Sequence, residues 1–335
     1  MSEIKVGVIG TGVMGADHAR KFAGTVPGAR LTAVQDFAAD RAAELARELG
    51  VAAVATADEV IASDDVDAVL VCTPDATHAA LGLAAIAAGK PVMIEKPLAA
   101  NRAQAEEILR AEMAAGQRLV QVGYMRRFDP GYVEMKQYLA SGRLGAPLFL
   151  HCRHRNAVSA DYLTPDLIIA STAGHEFDAA RFLLGEEIAS ATVISPPASR
   201  LAPGRQPQFI VLQSASGTVV DIEAFTDARY GYDVRAELVC EEGTVSLRPG
   251  PATSLRLAGH DGLEVPADWR ARFADAYRLQ FEQWISSIRT GAPNAGSTAW
   301  DGYMALLVTE ACLQAWRTGG RVAVDRPERP GLYKG

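Results

Sequence analysis

A chain of 335 residues is longer than one ordinary hydrophobic core organises, so two domains are expected; 49% hydrophobic and 22% charged residues give a globular composition. A formal net charge of -7 works against a general binder of phosphate backbones, which needs surplus Lys and Arg, so nucleic acid is not an expected partner. No apolar run reaches the roughly 18 residues that a bilayer-spanning helix requires, and a strand-like segment follows Met1-Ser2-Glu3 directly, so neither a membrane partner nor secretion is expected.

From the N-terminus, short β-branched runs alternate with Ala-rich helical stretches, the pattern of a parallel sheet joined by crossover helices. Strands are predicted at Lys5 to Ile9, Leu31 to Gln35, Ala68 to Cys72, Pro91 to Ile94 and Leu119 to Val122. Helices are predicted at Asp40 to Leu49, Ala76 to Ala88 and Arg102 to Ala115, which are rich in good helix formers. Residues 1–123 therefore read as a doubly wound α/β domain.

After Gly123 the pattern changes. A helix (Gly131 to Ala140), a strand (Leu148 to Arg155) and a helix (His175 to Leu184) precede alternating runs near Ile188 to Ile194, Gln208 to Gln213, Thr218 to Phe225, Asp233 to Cys240 and Thr244 to Leu247. Turn residues such as Ser216-Gly217 and Glu242-Gly243 separate these runs, so residues 124–335 read as an α/β domain with a largely antiparallel sheet. Two long helices, Asp268 to Arg289 and Thr298 to Thr318, close it; Trp269, Trp284, Trp300 and Trp316 read as packing residues.

Cys72, Cys152, Cys240 and Cys312 lie far apart with no Cys-x-x-Cys pair, which suggests neither a disulfide framework nor a zinc cage and fits a reducing cytoplasm. His151-Cys152-Arg153-His154 resembles a metal cluster in composition only. On a strand just Cys152 and His154 share a face, and Arg153 and Arg155 crowd them, so no metal is expected.

Gly10-Thr11-Gly12-Val13-Met14-Gly15 is a G-x-G-x-x-G directly after the apolar strand Val6 to Ile9 and directly before a helical stretch. Glycines there permit a tight turn and close approach to a pyrophosphate, which the following helix N-terminus stabilises. Asp36 closes the second strand, where a carboxylate accepts both hydroxyls of an adenosine ribose and repels a 2′-phosphate. NAD is therefore expected, with NADP disfavoured; Arg41, on the next helix, is expected to face solvent.

Thr73, Pro74 and His78 follow the strand that ends at Cys72, and Glu95-Lys96-Pro97 ends the next, at the sheet edge where doubly wound folds bind ligands. With Gly10 to Gly15 and Asp36, these residues (Thr73, Pro74, His78, Glu95 and Lys96) make up the expected cofactor set. Together with Gly89-Lys90-Pro91, the motifs resemble the Gfo/Idh/MocA family of nicotinamide-dependent sugar and polyol dehydrogenases, over nearly the whole chain. Met125 to Tyr132, His154-Arg155-Asn156, His175 to Asp178 and Tyr230 to Asp233 are similar to one branch, the inositol 2-dehydrogenases. The resemblance implies a Rossmann domain, a second α/β domain whose open sheet supports oligomerisation, and a homo-oligomer, dimer or tetramer. It also implies oxidation of myo-inositol to a keto-inositol with NAD.

Oxidising a secondary alcohol requires a base within hydrogen-bond reach of its hydroxyl while a hydride leaves the same carbon. His175 is the expected base, because a predicted helix start keeps an imidazole neutral. By the family resemblance, Lys96 bonds the reacting oxygen and stabilises alkoxide charge. Family members commonly carry an Asp four residues before the His, where this chain has Ser171. A serine cannot offset an imidazolium as a carboxylate does, so Asp178, with Thr172, is expected to supply the missing polarity or to hold a substrate hydroxyl. Arg127, His154, Asn156, Asp178 and Tyr232 offer the mixed donors and acceptors that a polyol needs. A dehydrogenase for another sugar or sugar derivative, or a non-catalytic NAD-sensing protein in view of Ser171, stands as the alternative.

Overall fold

The computed structural model describes residues 3–158, 160, 162–248, 255–293 and 295–334. The chain divides into two units, Met1–Met125 with Tyr277–Leu306 and Glu328–Gly335, and Arg126–Ala276 with Leu307–Pro327. This differs from a division that assigns everything after residue 123 to the second domain. The difference has a packing cause: Phe281, Trp284 and Ile285 are buried, and the Phe281 ring lies 4.7 Å from that of Phe22 in the first unit.

The first unit runs β1 (Ile4–Ile9), α1 (Val13–Gly24), β2 (Ala29–Gln35), α2 (Ala39–Leu49), β3 (Ala52–Ala53), α3 (Ala57–Ala62), β4 (Ala68–Val71), α4 (Asp75–Ala87), β5 (Val92–Ile94), α5 (Arg102–Ala115) and β6 (Val120–Val122). Its sheet is ordered β3-β2-β1-β4-β5-β6 and is parallel throughout, with the two-residue strand Ser297–Thr298 added antiparallel beside β6. Every residue of β4, β5 and β6 is buried, as expected of parallel strands covered on both faces. The order reverses beside β1, so the crevice at the carboxyl ends of β1 and β4 is the ligand edge. Helix α3 was not predicted, although Thr56 and Glu59 form a capping box that marks its start.

The second unit begins in a 3-10 turn at Met125–Phe128 and continues through α6 (Pro130–Ala140), β7 (Pro147–Arg155), α7 (Pro165–Leu167), a π-helical turn at Ile168–Thr172, α8 (Gly174–Leu184), β8 (Ile188–Ile194), β9 (Gln208–Ser214), β10 (Val219–Phe225), β11 (Asp233–Cys240), β12 (Thr244–Ser246), β13 (Leu255–Leu257) and β14 (His260–Gly262). The remaining elements are α9 (Trp269–Thr290), β15 (Ser297–Thr298), α10 (Ala299–Thr318), β16 (Val322–Ala323) and a 3-10 turn at Gly331–Tyr333. A sheet ordered β12-β11-β7-β10-β9-β8-β16 results, antiparallel except where β7 pairs with β10. Burial alternates along β7, so Leu150, Cys152 and His154 face the interior of the unit and His151, Arg153 and Arg155 the other side.

Candidate active site

In the first unit the glycine turn leaves a cradle. Gly10 has φ +90°, and a Cβ there would meet the Cys72 carbonyl oxygen at 2.5 Å; at Gly15 it would lie 1.8 Å from the Gly10 carbonyl oxygen. At Gly12 nothing lies within 4 Å of that position, so the space a side chain would fill is open above the start of α1. Gly12 caps α1 without a side chain and the first turn carries no acidic residue, which leaves the positive helix end available to an anion. Val13, 68% exposed at the same edge, and the half-buried Met14 border this space. The residues therefore fit a dinucleotide pyrophosphate.

Asp36 directly follows β2 and is buried. Its Oδ2 accepts from the Thr11 amide (2.6 Å) and hydroxyl (3.1 Å), and its Oδ1 from the Ala38 amide and Arg41 Nη2, both at 2.8 Å. Burial works to raise its pKa, but the Thr11 and Ala38 amides and Arg41 outweigh it, so the carboxyl sits below its ordinary value. Arg41 is exposed, as expected, and from there its guanidinium reaches back to Asp36.

At the carboxyl end of β4, Thr73 and Pro74 lead into α4, and the Thr73 hydroxyl accepts from Thr77. His78 is buried, with Nδ1 2.6 Å from the Pro97 carbonyl oxygen and Nε2 2.8 Å from that of Thr73. Both ring nitrogens therefore serve the backbone and clamp the Lys96-Pro97 turn, rather than reaching a cofactor. Glu95 is likewise an internal support. Its Oε1 takes His18 Nε2 at 2.8 Å and its Oε2 accepts the Lys96 amide at 3.1 Å.

In the second unit, His154, His175 and Tyr232 gather into one aromatic group. The His154 ring lies 6.4 Å from that of His175 and 5.7 Å, edge to face, from that of Tyr232. Tyr232 is buried, which pushes its phenol up to about 12. Arg126 and Glu176, not singled out from the sequence, organise this group: Arg126 Nη1 bonds Glu176, while Arg126 Nη2 lies 3.1 Å from His154 Nδ1. Glu176 Oε1 and Oε2 stand 3.1 and 3.2 Å from the same nitrogen. Burial works to raise the Glu176 carboxyl, but Arg126 and His154 overcome it and hold it below its usual range.

His175 lies in α8, yet the free helix start inferred from the sequence is absent. Ala173 keeps helical dihedrals and its amide bonds the Ile168 carbonyl at 3.0 Å, so the helical run reaches back to Pro165. Amides ahead of His175 are therefore spent in the π turn, and the dipole argument for its protonation state does not apply. Ser171 and Thr172 lie inside that turn, whose inserted residue breaks the i,i+4 register counted from the sequence. Asp178 is buried and bonded by Arg127, with Nη2 at 2.7 Å and Nε at 3.0 and 3.1 Å, so the pair neutralises itself. Asn156 continues the alternation of His154 past the end of β7. Its amide bonds the Phe225 carbonyl at 3.0 Å, while its Oδ1 is buried and has no partner among the described residues.

A glycine cradle on a parallel sheet, with a separate unit holding buried polar side chains, is the architecture of a two-domain dinucleotide-binding protein. Residues 4–124 match the oxidoreductase family's NAD-binding Rossmann fold, and residues 136–324 match its C-terminal alpha/beta domain. The chain is 49% identical to Inositol 2-dehydrogenase 1 of Saccharopolyspora erythraea, over 98% of this chain and 99% of that one. It is 42% identical to Inositol 2-dehydrogenase of Burkholderia cenocepacia, over 99% of each. Among solved structures, myo-inositol dehydrogenase of Lactobacillus casei in complex with NAD(H) and myo-inositol superposes with a TM-score of 0.95 at 30% identity, covering 99% of this chain and 100% of that one. The chain belongs to the Gfo/Idh/MocA oxidoreductase family and is an NAD-dependent oxidoreductase acting on CH-OH groups.

Proposed function

We propose that the protein oxidises a secondary hydroxyl of a cyclic polyol, myo-inositol, to the corresponding keto-inositol. The observation that carries this reading is the buried Asn156 Oδ1, an acceptor that no described residue serves, on the strand edge that also presents His154. A buried acceptor of this kind suits a donor from a ligand, and relatives named for inositol support a ring hydroxyl in that role. Tyr232, His154 and Thr172 are the further groups proposed to bond hydroxyls, while Arg127 and Asp178 hold the shape of the site through their ion pair.

Bound NAD supplies the hydride acceptor. Lys96 donates to the reacting oxygen and stabilises the negative charge that develops on it as the proton leaves. His175 accepts that proton. His78 and Glu95 hold the backbone on either side of Lys96, so the ammonium is delivered from a fixed turn. Asp36 favours a ribose 2′-hydroxyl over a 2′-phosphate, which makes NAD the preferred cofactor.

A second copy of the chain is proposed to cover the open face of the second unit's sheet. Phe149 and Phe209 are exposed there among the pairs His151–Asp221 and Arg155–Glu223, a mixture that suits burial against a like surface. The free thiols of Cys72, Cys152, Cys240 and Cys312 suit a reducing cytoplasm.

The test is absorbance of the reduced nicotinamide with NAD and a panel of inositols and sugars, comparing wild type with Lys96→Met and His175→Asn. Turnover with myo-inositol, lost by about 10²-fold or more in both variants while NAD still binds, is the expected result. Turnover on another sugar alone overturns the substrate. Tight NAD binding with no turnover on any of them supports the sensor reading that Ser171 in place of the family Asp suggests.

A further inference from the structure

We infer that His18 is a positioning residue for Lys96: held as an imidazolium against Glu95, it offsets that carboxylate so that the Lys96 ammonium acts on the reacting oxygen. This role presupposes the alkoxide-stabilising Lys96 proposed above, and every group in it belongs to the first unit.

His18 follows Gly15 on α1, so the helix that leaves the glycine turn also delivers an imidazole to Glu95. The ring is fully buried and fixed on two sides, 5.2 Å from that of Tyr277 and 4.9 Å, edge to face, from that of Phe281. Its Nε2 lies 2.8 Å from Glu95 Oε1, and Glu95 Oε2 accepts the Lys96 amide at 3.1 Å. One oxygen is thus spent on the imidazole and the other on the backbone of the residue that carries the ammonium. The carboxylate has little room to swing away, because a Cβ at Gly123 would stand 3.0 Å from Oε2.

The charges around the ring decide what this contact does. Asp17 pairs with Lys21 on the same helix and stands 3.6 Å from His18 Nδ1, while Glu95 faces Nε2. Cys72, beside Glu95, stays neutral, its thiol pushed up by burial and then by the carboxylate. Asp17 and Glu95 are two anions, and Lys21 and an imidazolium two cations, so the set is neutral before Lys96 is counted. With a neutral side chain at position 18, Glu95 keeps an unmatched charge in a desolvated place, and Lys96, the adjacent cation, has to match it. Its field at the reacting oxygen weakens accordingly. Burial works to raise the Glu95 carboxyl, but His18 and then Lys96 hold it below its usual range, as this arrangement requires.

Steady-state kinetics and NAD calorimetry on wild type, His18→Gln and the double variant His18→Gln/Glu95→Gln test this. Expected are a kcat for the polyol lowered about tenfold in His18→Gln, NAD affinity within about twofold of wild type, and kcat recovered about fivefold in the double variant, which removes the stranded charge. A double variant no better than the single one overturns the inference, because a merely structural His18 predicts that result; an unchanged kcat in His18→Gln overturns it as well. Should His18→Gln not fold, nitrogen-15 spectra of the wild-type imidazoles at about pH 7 decide: a doubly protonated ring in slow exchange with solvent is expected, and its absence overturns the inference. Full turnover in Lys96→Met removes the reading of Lys96 and this inference together, whereas lost turnover there with a fully active His18→Gln removes this inference alone.

Discussion

Arg127 holds Asp178 through both Nε and Nη2, so a carboxylate that the sequence offers as a substrate contact is the buried partner of an ion pair. Asp178→Asn should therefore act first on stability. Removing one charge leaves the other in a desolvated place, a loss of about 2–4 kcal/mol after allowing for the amide oxygen that can still accept one bond. Thermal unfolding of the variant should show a clearly lowered midpoint. An unchanged midpoint with a greatly raised KM for the polyol would instead return Asp178 to the substrate.

The two ends of the glycine turn should respond differently to one methyl group. At Gly15 a Cβ collides with the Gly10 carbonyl and must break the turn, so Gly15→Ala should impair folding. At Gly12 a Cβ enters open space, so Gly12→Ala should fold normally and weaken NAD binding by about tenfold or more, because it occupies the cradle. Circular dichroism and NAD titration of both variants separate the two effects. Full NAD affinity in Gly12→Ala would mean that the pyrophosphate lies elsewhere.

His18 makes stability depend on alkaline pH. Its ring is buried between Glu95, 2.8 Å from Nε2, and Asp17, 3.6 Å from Nδ1. Burial alone would lower its pKa, but the Asp17 and Glu95 carboxylates outweigh burial and raise it above 6.5. A raised pKa in the folded state means that the contribution is complete below about 6.5 and disappears as pH climbs through the folded value. Denaturant titrations from pH 6 to 9 should show wild type losing stability with rising pH, and His18→Gln should flatten that slope. Parallel curves for the two proteins would refute the assignment.

Ser171→Asp should raise turnover of myo-inositol, by about tenfold, by restoring within the π turn ahead of His175 the carboxylate that family members commonly carry. Steady-state kinetics with saturating NAD measures it. A fall in kcat would indicate a pocket adapted to a different ligand.

Much of the first unit was legible because its signals are local. Short apolar runs between Ala-rich helices specify parallel strands, and G-x-G-x-x-G needs only neighbours in sequence to make its turn. Strands of two residues, Ser297–Thr298 and Val322–Ala323, cannot display a period and were invisible. The π turn at Ile168–Thr172 was hidden for a related reason: one inserted residue changes the register without changing the composition.

The sequence by itself determined the fold class, the cradle and the kinds of side chain that reach the site. Tertiary structure alone decided which of those side chains are free to act: Arg126 meets Glu176 from 50 positions away, His78 is spent on two carbonyls, and the exposed Arg41 pairs with Asp36. The physical reason is that a residue's type specifies what it can bond. Which partner it bonds depends on burial and rotamer, which arise only when distant segments pack and every buried polar group must find a mate.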